Sequence, residues 1–170
     1  LAAVPCMHWQ NFEKARSIAI AQSQCTHHSP LSEGCCDLMT FILCQLISGK
    51  IWEQILPYPN KNNWLEEVGL LSSCNWRDKS EEEVQSTGYV IHTLEAALWC
   101  VDTTNSFQDA VLRAVNLGED ADTVGAVTGQ IAGARYGIES IPDAWLSELV
   151  DQPRIKTIAE IIFNRSLDLV

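Results

Sequence analysis

The sequence lacks the common signals of a β-sheet. No segment alternates apolar and polar residues over the length of a strand, and neither Asn-Gly nor Asp-Gly, the dipeptides of tight hairpins, occurs. Helix-capping residues, among them Asn11, Ser29 and Ser106, and helical apolar patterns instead follow one another along all 170 residues, with no internal repeat and no linker. The sequence therefore predicts an all-α fold, a single compact multi-helix domain over residues 1–170.

Basic residues are scarce, since 11 Lys and Arg stand against 22 Asp and Glu, for a net charge of −11. An acidic surface repels phosphate groups, so we expect no nucleic-acid partner and no membrane partner. No apolar run reaches the roughly 18 residues of a membrane span, and the start shows no signal peptide. The seven cysteines form no C-x-x-C pair, which predicts reduced thiols and a cytoplasmic location.

An acidic turn at residues 118–123 is the main chemical feature. Asp120 and Asp122 stand one residue apart, Thr123 follows at once, and a strong helical pattern comes next. Gly118 precedes the carboxylates, where a helix can end at positive φ. We predict helix, acidic turn, helix, with Asp122 as the N-cap of the second helix.

Carboxylate and hydroxyl oxygens suit Mg²⁺, Mn²⁺ or Ca²⁺ better than Zn²⁺. The alternative is that Asp122 only caps the helix and Asp120 only lies near its positive end. An EF-hand is excluded, because counting from Asp120 places Val124 and Ile131 at two ligand positions.

Glycines recur every four residues along the helix after the acidic turn, at Gly125, Gly129 and Gly133. They form one smooth stripe on which another helix can approach closely. Such packing would hold the acidic turn rigidly at the end of its helix, facing a cleft.

Five segments carry a resemblance to a known family: CTHHSP at 25–30, STGYVIHTLEAALW at 86–99, SFQDAVLRAVNLG at 106–118, EDADTVGAVTGQIAGARYG at 119–137 and IPDAW at 141–145. They resemble the ADP-ribosylglycohydrolases, which include the dinitrogenase-reductase-activating glycohydrolases. The resemblance covers most of the chain and implies the same all-α fold. It also implies hydrolysis of the glycosidic bond at C1″ of an ADP-ribosyl group on a protein side chain or small acceptor.

The resemblance further implies a pair of Mg²⁺ or Mn²⁺ ions that hold ribose hydroxyls and a water. Asp120, Asp122 and Thr123 match the family's metal ligands. The general acid–base group is expected on an N-terminal half that this chain lacks, so no catalytic residue is assigned here.

Substrate binding is implied for His27 and less firmly for its neighbour His28, which match the family's Thr-His segment. It is also implied for Gly118 and for Tyr89, whose ring face suits stacking on a planar or sugar surface. His92 departs from the family, where many members carry Asp, so the role of this position is open.

The segment around His27 allows two other interpretations. One is a zinc site built from Cys25, His27, His28, Cys35 and Cys36, although this spacing matches no common zinc site. The other is a nucleophilic Cys25, for which nothing in the sequence marks a base and an orienting partner.

The chain has too few oxygen ligands for two ions. The family supplies the others from an N-terminal half, with a Thr-Asp-Asp-Thr segment and an acidic residue near a Gly-Asp motif, and neither motif occurs here. Residues 1–5 resemble a point midway along a full-length member. We therefore expect a C-terminal half whose partner is the missing N-terminal half. The alternative is a non-catalytic fragment that binds ADP-ribose or a protein.

Overall fold

The computed structural model describes residues 1–58 and 64–168. These residues contain no β-strand, so the predicted all-α fold is confirmed. Three short 3₁₀ turns lie at Trp52–Gln54, Glu81–Glu83 and Ile138–Ser140. The α-helices of the described residues are α1 (Ala3–His8), α2 (Phe12–Gln24), α3 (Pro30–Ile47), α4 (Glu66–Ser72), α5 (Val90–Asp102), α6 (Phe107–Asn116), α7 (Ala121–Tyr136), α8 (Asp143–Glu148) and α9 (Gln152–Leu167).

Helix starts follow the capping residues of the sequence. The side chains of Asn11, Ser29 and Ser106 accept hydrogen bonds from the amide three residues later, at 3.1, 3.1 and 3.0 Å. These bonds satisfy amides that have no partner inside the helix, and they fix the first turns of α2, α3 and α6. Gly49 follows α3 with a φ of +88°, as expected for a residue that ends a helix.

Some of the remaining helix boundaries also follow from local chemistry. Ala3–His8 form helix α1. The capping box of Ser80 and Glu83 closes only a 3₁₀ turn. Helix α9 begins at Gln152, before Pro153, because proline fits the first turn of a helix, where its missing N–H is not needed.

Helices α3 and α5 form the centre of the core. By length and composition alone, the 18 residues of α3 could cross a membrane, although the sequence contains no uninterrupted apolar run of that length. Within the protein, however, 56% of α3 is buried. Its buried Asp37 carboxylate accepts a hydrogen bond from Arg16 Nε at 2.9 Å, so α3 packs as the central helix of a helical domain.

Helices α6 and α7 pack closely and α7 also packs on α5, which places the acidic turn at the end of a helix pair. A Cβ on Gly125 would lie 3.0 Å from Val115 Cγ1, and one on Gly133 would lie 3.9 Å from Phe107. Both partners belong to α6, so the helices approach closely at Gly125, whereas at Gly133 a methyl group would make only an ordinary van der Waals contact. A Cβ on Gly129 would meet no described atom within 4 Å.

Helix α9 packs against α1 and leaves much of its apolar surface exposed. Trp9 Nε1 donates to Ser166 Oγ at 3.1 Å across this contact. The α9 apolar surface is defined by side chains that are at least 40% exposed: Ile155, Ile158, Ile161, Phe163 and Leu167. Several exposed apolar side chains on one helix are typical of a surface that another protein segment covers.

Candidate active site

The acidic turn reverses the chain between α6 and α7 with two consecutive left-handed residues. Gly118 has a φ of +79° and Glu119 a φ of +49°. The glycine is the expected helix terminator. Left-handed φ is uncommon for a glutamate, and the sequence did not signal it. After this reversal the Asp120 amide donates to the Ser86 carbonyl oxygen at 3.0 Å.

The predicted N-cap of α7 was wrong. Helix α7 begins at Ala121, so Asp120 occupies the N-cap position and Asp122 lies in the first turn. The left-handed pair before Asp120 and its bond to the Ser86 carbonyl fix where the helix begins. The Asp120 side chain makes no capping hydrogen bond to a backbone amide. Asp122 instead accepts a hydrogen bond from the Thr123 amide in the first turn, so part of the helix-start role that the sequence alternative gave to Asp122 is present in the structure.

Thr123 joins the two carboxylates. Its hydroxyl donates to Asp120 Oδ1 at 2.9 Å, and its amide donates to Asp122 Oδ1 at 2.9 Å. Asp122 and Thr123 are exposed, and Asp120 is half-buried. The structure thus brings the three predicted ligands together on one solvent-accessible turn.

The sequence interpretation missed Ser86 and Gly88, which form the opposite wall of the acidic turn. Ser86 is buried, and its hydroxyl donates to the Gly118 carbonyl oxygen at 3.1 Å. A Cβ on Gly88 would lie 2.9 Å from Asp120 Oδ2, closer than any real side chain approaches. Gly88 therefore leaves the space that the Asp120 carboxylate occupies.

Substituting Gly88→Ala is expected to displace the Asp120 carboxylate while the fold stays intact. The φ of Gly88 is not left-handed, and the clash is with the end of a flexible side chain, so the free energy of unfolding should change by about 0.5 kcal/mol. Thermal unfolding and the ¹³C signal of the Asp120 carboxyl measure the two effects. The matched control is Gly129→Ala, where the added methyl has open space. An unchanged Asp120 signal in Gly88→Ala would show that the close approach has no consequence.

Tyr89 flanks the acidic turn because it follows Gly88 directly, at the N-cap position of α5. Its side chain is 44% exposed. Its ring meets the His92 ring edge-on, with centroids 5.0 Å apart and planes at 81°. A partly exposed aromatic ring one residue from the Gly88–Asp120 contact is free to stack on a ligand.

The contacts of His27 are local. Its Nδ1 lies 2.9 Å from Thr26 Oγ1, and its amide donates to the Ser23 carbonyl oxygen at 2.7 Å. His28 Nδ1 lies 3.3 Å from Glu33 Oε1. Among the described residues no hydrogen bond joins His27 to the acidic turn, so its place in a common cleft stays a prediction.

The alternative zinc site finds no support in the region around His27. All seven cysteines fall within the described residues and are free thiols. Burial, with a smaller contribution from Cys36, raises the pKa of the Cys35 thiol to about 12, which disfavours the thiolate that Zn²⁺ requires. Residues 1–58 and 64–168 contain no group of three His, Cys, Asp or Glu side chains placed to hold a metal.

The acidic turn fits part of a Mg²⁺ or Mn²⁺ site. It offers two carboxylates and a hydroxyl, all oxygen donors, on a surface open to solvent. The space left by Gly88 keeps Asp120 Oδ2 clear of any neighbouring side chain at this point. Three oxygen-bearing side chains are too few for two ions, as the sequence already indicated.

Comparisons with known proteins identify the family of the chain. The sequence profile of the ADP-ribosylglycohydrolase family matches residues 1–168. The chain belongs to the ADP-ribosylglycohydrolase family. The acidic turn and Tyr89 lie within the matched residues.

Three relatives give the extent of the likeness. ADP-ribosylarginine hydrolase Tri1 of Serratia proteamaculans (strain 568) is 45% identical over 148 residues, which cover 84% of this chain and 39% of that protein. The ADP-ribosyl-[dinitrogen reductase] glycohydrolase of Rhodospirillum rubrum is 34% identical, with 76% of this chain and 42% of that protein covered. A solved structure titled ADP-ribosylglycohydrolase-related protein complex matches with a TM-score of 0.83 and 28% identity, covering 96% of this chain and 57% of that chain. The chain thus spans less than half the length of the two named enzymes.

Proposed function

We propose that this chain is the C-terminal half of an ADP-ribosyl hydrolase, which cleaves the glycosidic bond at C1″ of ADP-ribose on a protein side chain. Similarity to relatives named as hydrolases of ADP-ribosylated arginine and of ADP-ribosylated dinitrogen reductase supports hydrolysis. The observation that carries the proposal is the joining of Asp120 and Asp122 through Thr123, inside a chain that matches the family throughout residues 1–168.

The proposed cofactor is Mg²⁺ or Mn²⁺, as a pair of ions in the complete site. Bound there, the ions would polarise substrate oxygens and make a water more acidic. Asp120, Asp122 and Thr123 would hold one side of the pair. The Thr123 bonds to both carboxylates keep them at fixed positions before a cation arrives, which lowers the ordering cost of binding.

Substrate recognition is proposed for Tyr89 and His27. The exposed Tyr89 ring lies one residue from the Gly88–Asp120 contact, where it can stack on a sugar or base. His27 is exposed and carries donor and acceptor nitrogens. Two relatives named ADP-ribosylarginine hydrolase, at 45% and 35% identity, make arginine-linked ADP-ribose the first substrate to test.

An N-terminal half of the family is the proposed partner that completes the site. This chain covers 57% of the solved relative, whose remainder belongs to the same protein. The α9 apolar surface is a place for such a remainder to pack, since its isoleucines are 46 to 50% exposed. We call this chain, joined at Leu1 to the N-terminal half of the Serratia proteamaculans relative, the completed protein.

The cytoplasm is the proposed location. All seven cysteines are free thiols, which suits a reducing compartment. The net charge of −11 suits a protein with no nucleic-acid partner.

The second candidate is a non-catalytic module that binds ADP-ribose. The ligand count favours it for this chain alone, because two carboxylates and a hydroxyl do not complete a two-ion site. Hydrolysis distinguishes the two functions, since both predict binding of ADP-ribose and only the first predicts release from its acceptor.

The completed protein is expected to release free ADP-ribose from an arginine-ADP-ribosylated peptide when Mn²⁺ is present, and to stop when the metal is chelated. Chromatographic separation of free ADP-ribose measures the release. Binding of ADP-ribose by calorimetry without any release at saturating Mn²⁺ would favour the non-catalytic module. Neither binding nor release would contradict both functions.

A further inference from the structure

The four residues before α5 form a wall that touches the acidic turn at three points. The Asp120 amide donates to Ser86, Ser86 Oγ donates to Gly118, and Gly88 approaches Asp120 Oδ2. Any movement of this wall, residues 86–89, would move the Asp120 carboxylate and the Tyr89 ring together. What holds the wall in place therefore matters for the whole site.

Thr87 is the centre of the hydrogen bonds inside the wall. Its Oγ1 accepts from the Tyr89 amide at 3.2 Å and lies 2.9 Å from His92 Nδ1. Its carbonyl oxygen accepts from Thr93 Oγ1 at 3.1 Å. The wall is thus tied to α5 through two side chains, and His92 is the one that reaches the Thr87 side chain.

His92 also touches the residue proposed to meet substrate. Its ring packs edge-on against Tyr89 while its Nδ1 bonds to Thr87. One side chain on the rigid, buried helix α5 therefore contacts two of the four wall residues. The hydrogen bond forms in either neutral tautomer, because a hydroxyl both donates and accepts.

We propose that His92 is a positioning residue: its bond to Thr87 and its contact with Tyr89 hold residues 86–89 against the acidic turn. The effect of His92 on substrate binding rests on the proposed hydrolase function. Its effect on the position of residues 86–89 rests on the geometry alone. His92 does not touch the carboxylates, so its effect passes through Thr87 and Tyr89.

The first test uses the 170-residue chain and needs no activity. The amide exchange rates of Tyr89 and Asp120 are measured by NMR in His92→Leu and Thr87→Val, each of which removes the bond. Both rates should rise by about 2- to 10-fold, the factor that corresponds to one typical hydrogen bond. His92→Asn, which keeps a polar atom near Nδ1, should restore most of the protection.

Two controls separate bracing of the wall from general loosening. Thr103→Val removes a hydroxyl that bonds to the Trp99 carbonyl oxygen at the far end of α5, and it should leave both rates unchanged. Thr87→Val also removes the acceptor of the Tyr89 amide, so the double variant Thr87→Val/His92→Leu should be no worse than Thr87→Val alone, which already lacks the bond to His92. Unchanged Tyr89 exchange in His92→Leu, or an equal rise along all of α5, would overturn the proposal.

The second test measures kinetics in the completed protein. His92→Leu should raise KM for the ADP-ribosylated peptide several-fold and change kcat less, since Tyr89 is proposed to contact substrate. His92→Asn should recover KM. If the exchange rates rise as expected but neither the unmodified protein nor any variant hydrolyses substrate, the positioning of residues 86–89 by His92 is supported and the hydrolase function is contradicted. If the unmodified protein is active and KM does not respond to His92→Leu, the positioning role fails instead.

Discussion

In the completed protein, Asp120→Ala is expected to lower turnover by more than the roughly 10- to 100-fold that loss of an outer partner of a metal ligand typically costs. Asp120 lies at the centre of the candidate site, because Thr123, Ser86 and Gly88 are all its neighbours. Removing its carboxylate takes away a proposed metal ligand and the acceptor of the Thr123 hydroxyl. The measurement is release of free ADP-ribose from the arginine-linked peptide at saturating Mn²⁺.

The fold should survive this change, because the half-buried Asp120 side chain bonds to Thr123 and to no backbone amide of α7. Thermal unfolding checks that the loss is not a loss of structure. Glu119→Gln is the matched control, since it removes one negative charge from an exposed neighbouring residue. An equal loss in Glu119→Gln, or normal turnover in Asp120→Ala, would contradict the role given to Asp120.

Local chemistry was enough to predict the helices that have side-chain caps. The starts of α2, α3 and α6 depend on Asn11, Ser29 and Ser106, each of which bonds to an amide three residues away. The start of α7 could not be predicted in this way. It depends on the left-handed Glu119 and on the Ser86 carbonyl, which tertiary structure brings to the Asp120 amide.

The candidate site also contains residues that local sequence predicts and residues that only tertiary structure brings together. Asp120, Asp122 and Thr123 belong to one turn, so their sequence spacing alone predicted that they lie together. Gly88 was missed because its importance comes from a close approach between the start of α5 and the start of α7. Nothing in the local sequence distinguishes that glycine from one in an ordinary turn.

This chain alone is expected to hydrolyse ADP-ribosylated peptide very slowly or not at all, whereas the completed protein turns over. The reason is the number of ligands. The acidic turn provides two carboxylates and a hydroxyl, and the described residues offer no cluster of three His, Cys, Asp or Glu side chains to add to them. A pair of hard cations needs more oxygen donors than this.

The α9 apolar surface should also become protected from solvent in the completed protein, because the added half would cover it.

A calorimetric Mn²⁺ titration of the isolated chain and of the completed protein tests the half-site most directly. The completed protein should bind a pair of ions, and the isolated chain should bind Mn²⁺ at least about 100-fold more weakly. Loss of a residue that only supports a metal ligand costs about 10- to 100-fold in affinity, and the isolated chain lacks the ligands themselves. Asp120→Ala should abolish the tight binding, and Glu119→Gln should keep it. Equally tight binding of Mn²⁺ by residues 1–170 alone, with metal-dependent turnover, would show that the site is completed within this chain and would contradict the half-site account.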